Sequence, residues 1–257
     1  MAAPDDHALA ADLAERAGRL LLELRAKGGE PDALRKAGDR QSHEFLMAEL
    51  ARERPADAVL SEEGIDDKAR LTADRVWIVD PLDGTREFGE PGRSDWAVHV
   101  ALWARDASAQ AGDLIAGAVA LPAQGRTLST ASATDEAAQV AQRPLRMVVS
   151  RSRASQLVKD VAALISADLI PCGSVGAKVA TVITGENDVY LHSGGFYEWD
   201  TAAPVAVARP NGFHVSRIDG SPVRYNQEDP MLPDILICRP AIADLLLNAV
   251  REVTHAI

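Results

Sequence analysis

An apolar run that ends in the motif Asp-Pro-Leu-Asp-Gly-Thr constrains the fold of this chain more than any other feature. Residues 76–79 (Val-Trp-Ile-Val) are typical of a buried strand, and the motif occupies residues 80–85 directly after it. Pro81 cannot donate a backbone hydrogen bond to a neighbouring strand, so the strand must leave the sheet at this point. Gly84 suits a tight turn, and Thr85 can cap a helix that follows. The motif therefore predicts a strand, a sharp turn and a helix in immediate succession.

The same turn can bring several oxygen atoms together. It is short enough to direct the carboxylates of Asp80 and Asp83 and the Leu82 carbonyl towards one point outside the strand end. Hard oxygen ligands of this kind suit Mg²⁺, which takes near-octahedral geometry. Asp-Pro and Asp-Gly are also common in turns that hold no metal. The motif alone leaves both interpretations open.

Other acidic residues at the ends of apolar runs favour the metal interpretation. Glu62 and Glu63 follow the apolar residues 58–60, which are typical of a strand. Asp200 precedes an apolar helical pattern at 201–208, a position that is also typical of an N-cap. None of the six histidines has an evident partner, so each is predicted to be structural or exposed.

The charge balance limits the partners of the chain. Its 257 residues include 27 Lys and Arg against 38 Asp and Glu, which gives a formal net charge of −11. A nucleic-acid surface needs clustered Lys and Arg, so nucleic acid is not expected as a partner. The longest largely apolar stretch without a charge, 114–125, is too short to span a membrane. Two cysteines in no disulfide pattern and no evident signal peptide predict a cytoplasmic protein.

The hydrophobic patterns predict an α+β half followed by an α/β half. Small polar residues at 131–144 mark the candidate boundary, which divides the chain into subdomains 1–140 and 141–257. Helices are predicted at 9–24, after Asp39, at 154–165, 175–183 and 201–208, and up to residue 253. Strands are predicted at 58–60, 76–79, 96–103, 114–121, 145–149, 168–171 and 189–192. The strand at 96–103 lacks a clean alternation, which predicts cover on both faces. Residues 219–234 are predicted to be a surface segment.

Three of these elements occur together in one known superfamily. The pair Glu62-Glu63, the motif at 80–85 and the sequence Trp199-Asp200-x-Ala-Ala resemble, in order, the motifs of the lithium-sensitive, Mg²⁺-dependent inositol monophosphatases. The resemblance covers about residues 36–212. It implies an α/β (α+β) fold with a layered αβαβα architecture and two subdomains. It also implies two or three Mg²⁺ ions, inhibition by Li⁺ and often a homodimer.

The resemblance further implies a role for individual residues. The implied metal ligands are Glu62, Asp80, the Leu82 backbone carbonyl, Asp83 and Asp200. Asp39 matches the acid that works with Thr85 to activate water, and Glu62 is a further candidate for accepting the proton. Gly84, Thr85 and Asp200 are implied to contact the substrate. One departure is the sequence Arg-Pro-Asn-Gly at 209–212, where the family usually has Ala-Gly-Gly, and Pro210 is predicted to end the preceding helix.

Within the superfamily the chain is similar to the CysQ-type phosphatases, which act on 3′-phosphoadenosine 5′-phosphate. The similarity lies at 61–63, 85–88, 150–153 and 173–178. It implies hydrolysis of the 3′-phosphate of this bisphosphate nucleotide to AMP and phosphate, a step linked to sulfur assimilation. Arg151, Arg153 and Lys178 are candidates for binding the substrate, and each could equally be a solvated surface cation.

Two alternatives stay open. The same metal site would serve a phosphatase of inositol-1-phosphate or of fructose-1,6-bisphosphate. A catalytically silent scaffold that binds a metal or a nucleotide is the other, although such a protein has no chemical need for the whole acidic set.

Overall fold

Two long helices begin the described part of the chain. The computed structural model describes residues 4–106, 112–132, 143–152 and 154–255. Helix α1 spans Pro4–Ala26, as its apolar spacing predicts, and α2 spans Pro31–Glu53. The prediction that the second helix follows Asp39 is wrong, because Pro31 suits the first turn, where a backbone N–H has no partner within the helix. Asp39 therefore lies within α2.

The first sheet has five strands in the order β1-β2-β3-β4-β5. They are β1 (Ala58–Ser61), β2 (Arg75–Asp83), β3 (Ala97–Arg105), β4 (Gly112–Leu121) and β5 (Arg126–Ser129). Strands β1 and β2 are parallel, and the other neighbours are antiparallel. The first seven residues of β3 are buried, which confirms cover on both faces. The sequence pattern does not predict β5, because Leu128 is the one apolar residue among its four.

The second sheet also has five strands, in the order β7-β6-β8-β10-β9. They are β6 (Arg146–Ser150), β7 (Asp168–Cys172), β8 (Val189–Tyr197), β9 (His214–Ser216) and β10 (Met231–Cys238). Strand β6 is parallel to β7 and β8, whereas β10 is antiparallel to β8 and β9. The two sheets thus give the α+β half and the α/β half that the patterns predict.

The remaining helices complete a stack of five layers. They are α3 (Thr85–Gly89), α4 (Gln156–Leu164), α5 (Val175–Ile183), α6 (Glu198–Ala208) and α7 (Ala243–His255). Helices α5 and α6 lie between the sheets, α1 and α2 cover the outer face of the first sheet, and α4 and α7 cover that of the second. This confirms the αβαβα architecture. No helix in the described ranges is long and apolar enough to cross a membrane.

The middle layer connects the two halves of the chain. Helix α6 comes from the second half but packs on β2, β3 and β4 of the first sheet. Residues 133–142, most of the predicted boundary at 131–144, lie outside the described residues. The division into 1–140 and 141–257 therefore stays a prediction.

Two local features of the second half bear on the site. Helix α6 ends at Ala208, and a 3-10 turn over Arg209–Asn211 follows, as Pro210 predicts. The prediction that 219–234 is a surface segment is wrong for its centre, because Tyr225 and Asn226 are buried. Their burial depends on residues distant in sequence, which a local pattern does not show.

Candidate active site

A turn at Gly84 and helix α3 follow β2, as the motif predicts, but the prediction that the strand leaves the sheet at Pro81 is wrong, because Asp83 still pairs with Ala97. The pairing of β2 with β3 shifts between Asp80 and Asp83, and such a bulge re-aims the side chains at this point. Gly84 has a φ of 86°, in the left-handed region that favours glycine. A Cβ at Gly84 would lie 2.9 Å from the Ser174 Cβ. Both the backbone angle and the close approach of Ser174 therefore require glycine here.

Thr85 lies in contact with Asp39, as the family resemblance implies. The prediction that Thr85 caps the helix is wrong, because Gly84 occupies the N-cap position of α3. The Thr85 Oγ1 instead lies 3.1 Å from Asp39 Oδ1 and 3.1 Å from the Leu82 carbonyl oxygen. Burial raises the pKa of Asp39 to about 6, although the hydrogen bond from Thr85 opposes this shift. The hydroxyl thus has a carboxylate positioned to take its proton.

Four carboxylates meet beside this turn. One oxygen each of Asp80, Asp83 and Asp200 all lie within 4.8 Å of one another. Glu62 lies beside Asp80, close enough for the two groups to change each other's acidity, and lines the same cavity. Glu62 follows β1, Asp80 and Asp83 lie at the end of β2, and Asp200 lies in the first turn of α6. The structure therefore brings together all four side chains that the sequence predicts as metal ligands.

Backbone contacts orient two of these carboxylates. Asp80 Oδ1 accepts a hydrogen bond from the Leu82 N–H at 2.9 Å. Asp200 is the third residue of α6, and its Oδ2 accepts a hydrogen bond from the Tyr197 N–H at 2.6 Å. The expectation that Asp200 is the N-cap is therefore wrong, because the helix begins at Glu198 with Tyr197 as its N-cap, and Asp200 belongs to the cluster from within the first turn.

His99 orients the third carboxylate and is a residue that the sequence does not reveal. It is fully buried on β3. Its Nε2 lies 3.1 Å from Asp83 Oδ2, and its Nδ1 lies 3.2 Å from the Trp199 carbonyl oxygen. The Gly176 N–H donates to the same Asp83 oxygen at 2.6 Å. His99 is thus a buried structural residue, and its partners are not evident in the sequence because Asp83 comes from the neighbouring strand β2 and Trp199 from α6.

Burial and mutual repulsion change the acidity of the cluster. Burial, with the charges of Glu62 and Asp83 added, holds the pKa of Asp80 well above its usual range. Burial likewise raises the pKa of Glu62 to about 7 and that of Asp200 to about 6. Burial would also raise the pKa of Asp83, but His99, Lys178 and the Gly176 N–H together outweigh it and hold that pKa below its usual value. Such a cluster favours the binding of cations, which would relieve the repulsion.

The set of donor atoms fits a divalent cation that prefers oxygen. Four carboxylates converge and no sulfur ligand is among them, and the Leu82 carbonyl lines the same cavity. Carboxylate and carbonyl oxygens are the ligands of Mg²⁺ and Mn²⁺, whereas Zn²⁺ sites usually include His or Cys. Glu62, Asp80, Asp83 and Asp200 are thus the residues that would hold the metal.

The cluster forms the floor of a cavity of about 460 Å³. Five residues with aromatic rings line this cavity, and we refer to them as the aromatic wall: Tyr190, His192, Phe196, Tyr197 and Trp199. The rings of Tyr197 and Trp199 stack with centroids 4.7 Å apart and planes at 12°. Tyr197 is 47% exposed. The only sequence signal for this wall is the density of aromatic residues at 190–199 in a chain that is 4% aromatic.

The cations predicted to bind substrate lie in three different situations. Lys178 lines the cavity, but it is buried and its Nζ donates to the Gly173 carbonyl oxygen. Arg151 donates hydrogen bonds to Glu87 and Glu90 at distances from 2.6 to 3.1 Å. Arg153 lies outside the described residues. Lys178 and Arg151 therefore both have partners within the protein.

A carboxylate cluster in a cavity between the layers suits an enzyme that works through a bound metal ion. The model of the inositol monophosphatase family matches residues 7–255. The chain belongs to this family, which confirms the resemblance drawn from its motifs.

Individual relatives agree with this assignment. The chain is 49% identical over 255 residues to the 3′-phosphoadenosine 5′-phosphate phosphatase of Mycobacterium leprae, which covers 96% of this chain and 94% of that protein. The crystal structure of CysQ from Bacteroides thetaiotaomicron superposes with a TM-score of 0.74 at 29% identity, over 90% of this chain and 96% of that one. Inositol monophosphatase-II from Staphylococcus aureus superposes with a TM-score of 0.80 at 19% identity, over 95% and 94% of the two chains, and shows the shared fold.

Proposed function

We propose that this protein hydrolyses the 3′-phosphate of 3′-phosphoadenosine 5′-phosphate, giving AMP and inorganic phosphate, with Mg²⁺ as its cofactor. The observation that carries the proposal is that the acidic cluster and the aromatic wall share one cavity. The cluster suits a metal-bound phosphate, and the wall suits a planar base. The relatives that are about half identical bear the name of this activity.

The proposed chemistry is the direct attack of water on phosphorus. Bound Mg²⁺ would lower the pKa of a coordinated water and neutralise charge on the phosphate and the leaving oxygen. Thr85 accepts the proton of the attacking water while its own hydroxyl proton passes to Asp39, 3.1 Å away. Glu62 is a second candidate for the proton acceptor. The backbone of Gly84 and Thr85, in the turn beside the cluster, contacts the phosphate.

The aromatic wall gives the substrate side of the proposal its structural support. The exposed ring of Tyr197, stacked on Trp199, offers a flat surface on which an adenine ring can stack. Lys178 adds positive charge beneath the cavity, close to Asp83 and Asp200. Arg151 can bind the second phosphate of the substrate only if it exchanges Glu87 or Glu90 for that phosphate. Arg153 remains a candidate for the same phosphate on sequence alone.

The proposal is tested by phosphate release from three substrates in the presence of Mg²⁺. Purified protein is supplied with 3′-phosphoadenosine 5′-phosphate, inositol-1-phosphate or fructose-1,6-bisphosphate, each with and without Li⁺. We expect a strong preference for the nucleotide and inhibition by Li⁺. A preference for inositol-1-phosphate or fructose-1,6-bisphosphate would keep the metal site but overturn the proposed substrate. No release from any of them would favour a catalytically silent scaffold.

We further propose a cytoplasmic location and a homodimer. The sequence has two cysteines, Cys172 and Cys238, in no disulfide pattern, which is typical of proteins in a reducing compartment. The mass of the native protein measured by light scattering tests the dimer directly.

A further inference from the structure

The segment of residues 225–231 contacts the chain on both sides of the acidic cluster: the region that follows Glu62 and the helix turn that contains Asp200. We refer to it as the bracing segment. It lies between the 3-10 turn Lys68–Leu71, which follows the loop of Glu62, and the first turn of α6, which contains Asp200. Neither the proposed proton transfer nor the aromatic wall uses this segment.

Glu198 binds the bracing segment to α6. It is the first residue of the helix, two positions before Asp200, and it is fully buried. Its two carboxylate oxygens accept hydrogen bonds from the Asn226 N–H at 2.7 Å and the Gln227 N–H at 2.8 Å. Its own N–H donates to the Pro230 carbonyl oxygen at 2.8 Å. Three hydrogen bonds therefore fix the beginning of α6 to this segment.

Arg70 binds the same segment from the other side. Its side chain is completely buried, and its guanidinium group donates to Asn226 Oδ1 and to the Gln227 carbonyl oxygen, both at 2.8 Å. It also donates to Asp66 at 2.6 and 3.1 Å, and Asp66 lies in the loop that follows Glu62. The Asn226 side chain returns a hydrogen bond to the Arg70 carbonyl oxygen at 3.2 Å.

These contacts form one continuous path between two members of the acidic cluster. The path runs from the loop of Glu62 through Arg70, then through Asn226 and Gln227, to Glu198 and so to the helix turn of Asp200. Arg70 and Glu198 are both buried, so a displacement that leaves either side chain without its hydrogen-bond partners costs free energy. The path therefore resists small displacements. Asn226 has a φ of 58°, which shows that the segment is held in a conformation that few residues adopt.

We propose that Arg70 and Glu198 are positioning residues of the metal site, which act through the bracing segment to fix the distance between Glu62 and Asp200. Glu62 and Asp200 lie on either side of Asp80 and Asp83 in the chain of contacts, and bound cations require all these ligands at a set spacing, because a small cation such as Mg²⁺ tolerates little departure from octahedral geometry. The inference rests on the proposed metal site and is independent of the proposed substrate.

The test measures metal binding directly, with Mn²⁺ as the probe and electron paramagnetic resonance as the readout, in the absence of substrate. Asn226→Gly keeps the left-handed backbone and the backbone N–H that donates a hydrogen bond to Glu198. It removes the side chain that accepts a hydrogen bond from Arg70. Glu198→Gln removes one of the two acceptors at the other end of the path. We expect each substitution to weaken Mn²⁺ binding by about tenfold, the lower end of the effect seen when groups that support metal ligands are changed.

A second buried network provides the control. Asp188 is buried at the opposite end of β8 from Tyr197 and accepts hydrogen bonds from Arg143, the Arg146 N–H and Arg239. Asp188→Asn should lower the free energy of unfolding but leave Mn²⁺ binding unchanged. Excess metal should restore kcat in Asn226→Gly and Glu198→Gln, which a general loss of structure would not allow.

Two outcomes would overturn the inference. The first is that both Asn226→Gly and Glu198→Gln bind Mn²⁺ as tightly as the wild type. The second is that Asp188→Asn weakens Mn²⁺ binding as much as these two substitutions do. If Glu198→Gln does not fold, Asn226→Gly decides alone. Failure of the wild-type protein to bind Mn²⁺ would instead refute the metal site itself, and the inference with it.

Discussion

The contact between Asp39 and Thr85 is the part of the site that bears most directly on the chemistry. Asp39 is half-buried on α2, and its carboxylate oxygen lies 3.1 Å from the Thr85 hydroxyl. We expect Asp39→Asn to lower kcat by about 10²- to 10⁴-fold, because an amide cannot accept the proton that a general base removes. Steady-state phosphate release measures this change, and far-ultraviolet circular dichroism shows whether the fold is kept.

The control for this substitution lies on the same helix. Asp32 is exposed and forms an ion pair with Arg35 at 2.9 Å. Asp32→Asn makes the same chemical change away from the cavity and should keep wild-type kcat. Activity of Asp39→Asn within a factor of ten of the wild type would exclude Asp39 as the proton acceptor.

Tyr197 offers a test of base recognition. Removal of a stacked aromatic ring costs about 1–3 kcal/mol per base. We therefore expect Tyr197→Leu to raise the KM for 3′-phosphoadenosine 5′-phosphate by roughly 5- to 150-fold. The activity towards inositol-1-phosphate, which has no base, should not change. Ile65→Ala, at a residue that is 98% exposed, is the control. An unchanged KM for the nucleotide would exclude Tyr197 from the base site.

Among the elements, those with a local signal could be predicted and those that depend on distant partners could not. The apolar run at 76–79 and Gly84 predict strand β2 and the turn after it, but the end of the strand could not be predicted, because a bulge keeps Asp83 paired with Ala97 beyond Pro81. His99 shows no local signal, because its partners Asp83 and Trp199 come from a neighbouring strand and from α6. The burial of Tyr225 and Asn226 likewise depends on distant side chains.

The turn between β2 and α3 can be tested as an element through Gly84. Its φ of 86° costs a residue with a side chain about 1–2 kcal/mol, and a Cβ would also approach Ser174 closely. We expect Gly84→Ala to lower both the free energy of unfolding and kcat, because the displaced turn moves Thr85 and Asp83. Urea unfolding and phosphate release give the two measurements.

Gly125→Ala separates the cost of a positive φ from the effect of displacing the turn. Gly125 has a φ of 62°, but no atom lies within 4 Å of a Cβ built there. This substitution should lower the free energy of unfolding by a similar conformational cost and leave kcat unchanged. Equal loss of kcat in both variants would show that the turn at Gly84 has no special role.

For the whole molecule, the position of the acidic cluster between layers links metal binding to stability. Asp80 and Asp83 end a strand of the first sheet, whereas Asp200 belongs to a helix of the middle layer. The four carboxylates at this junction, of which those of Asp80 and Asp83 are buried, repel one another, so the fold tolerates them at a cost that a bound cation would offset. The site exists only when the layers are assembled, because its ligands are 138 residues apart between Glu62 and Asp200.

Metal removal should therefore destabilise the native protein. A ligand that binds only the folded state raises the free energy of unfolding by about 2.7 kcal/mol at a concentration 100 times its Kd. We expect urea unfolding in Mg²⁺ at that concentration to show an increase of about this size for each site filled, relative to the same protein in EDTA. Asp80→Asn should lose most of the increase, since it removes one carboxylate charge from the cluster. Identical unfolding curves in Mg²⁺ and EDTA for the wild-type protein would show that the cluster does not bind the metal.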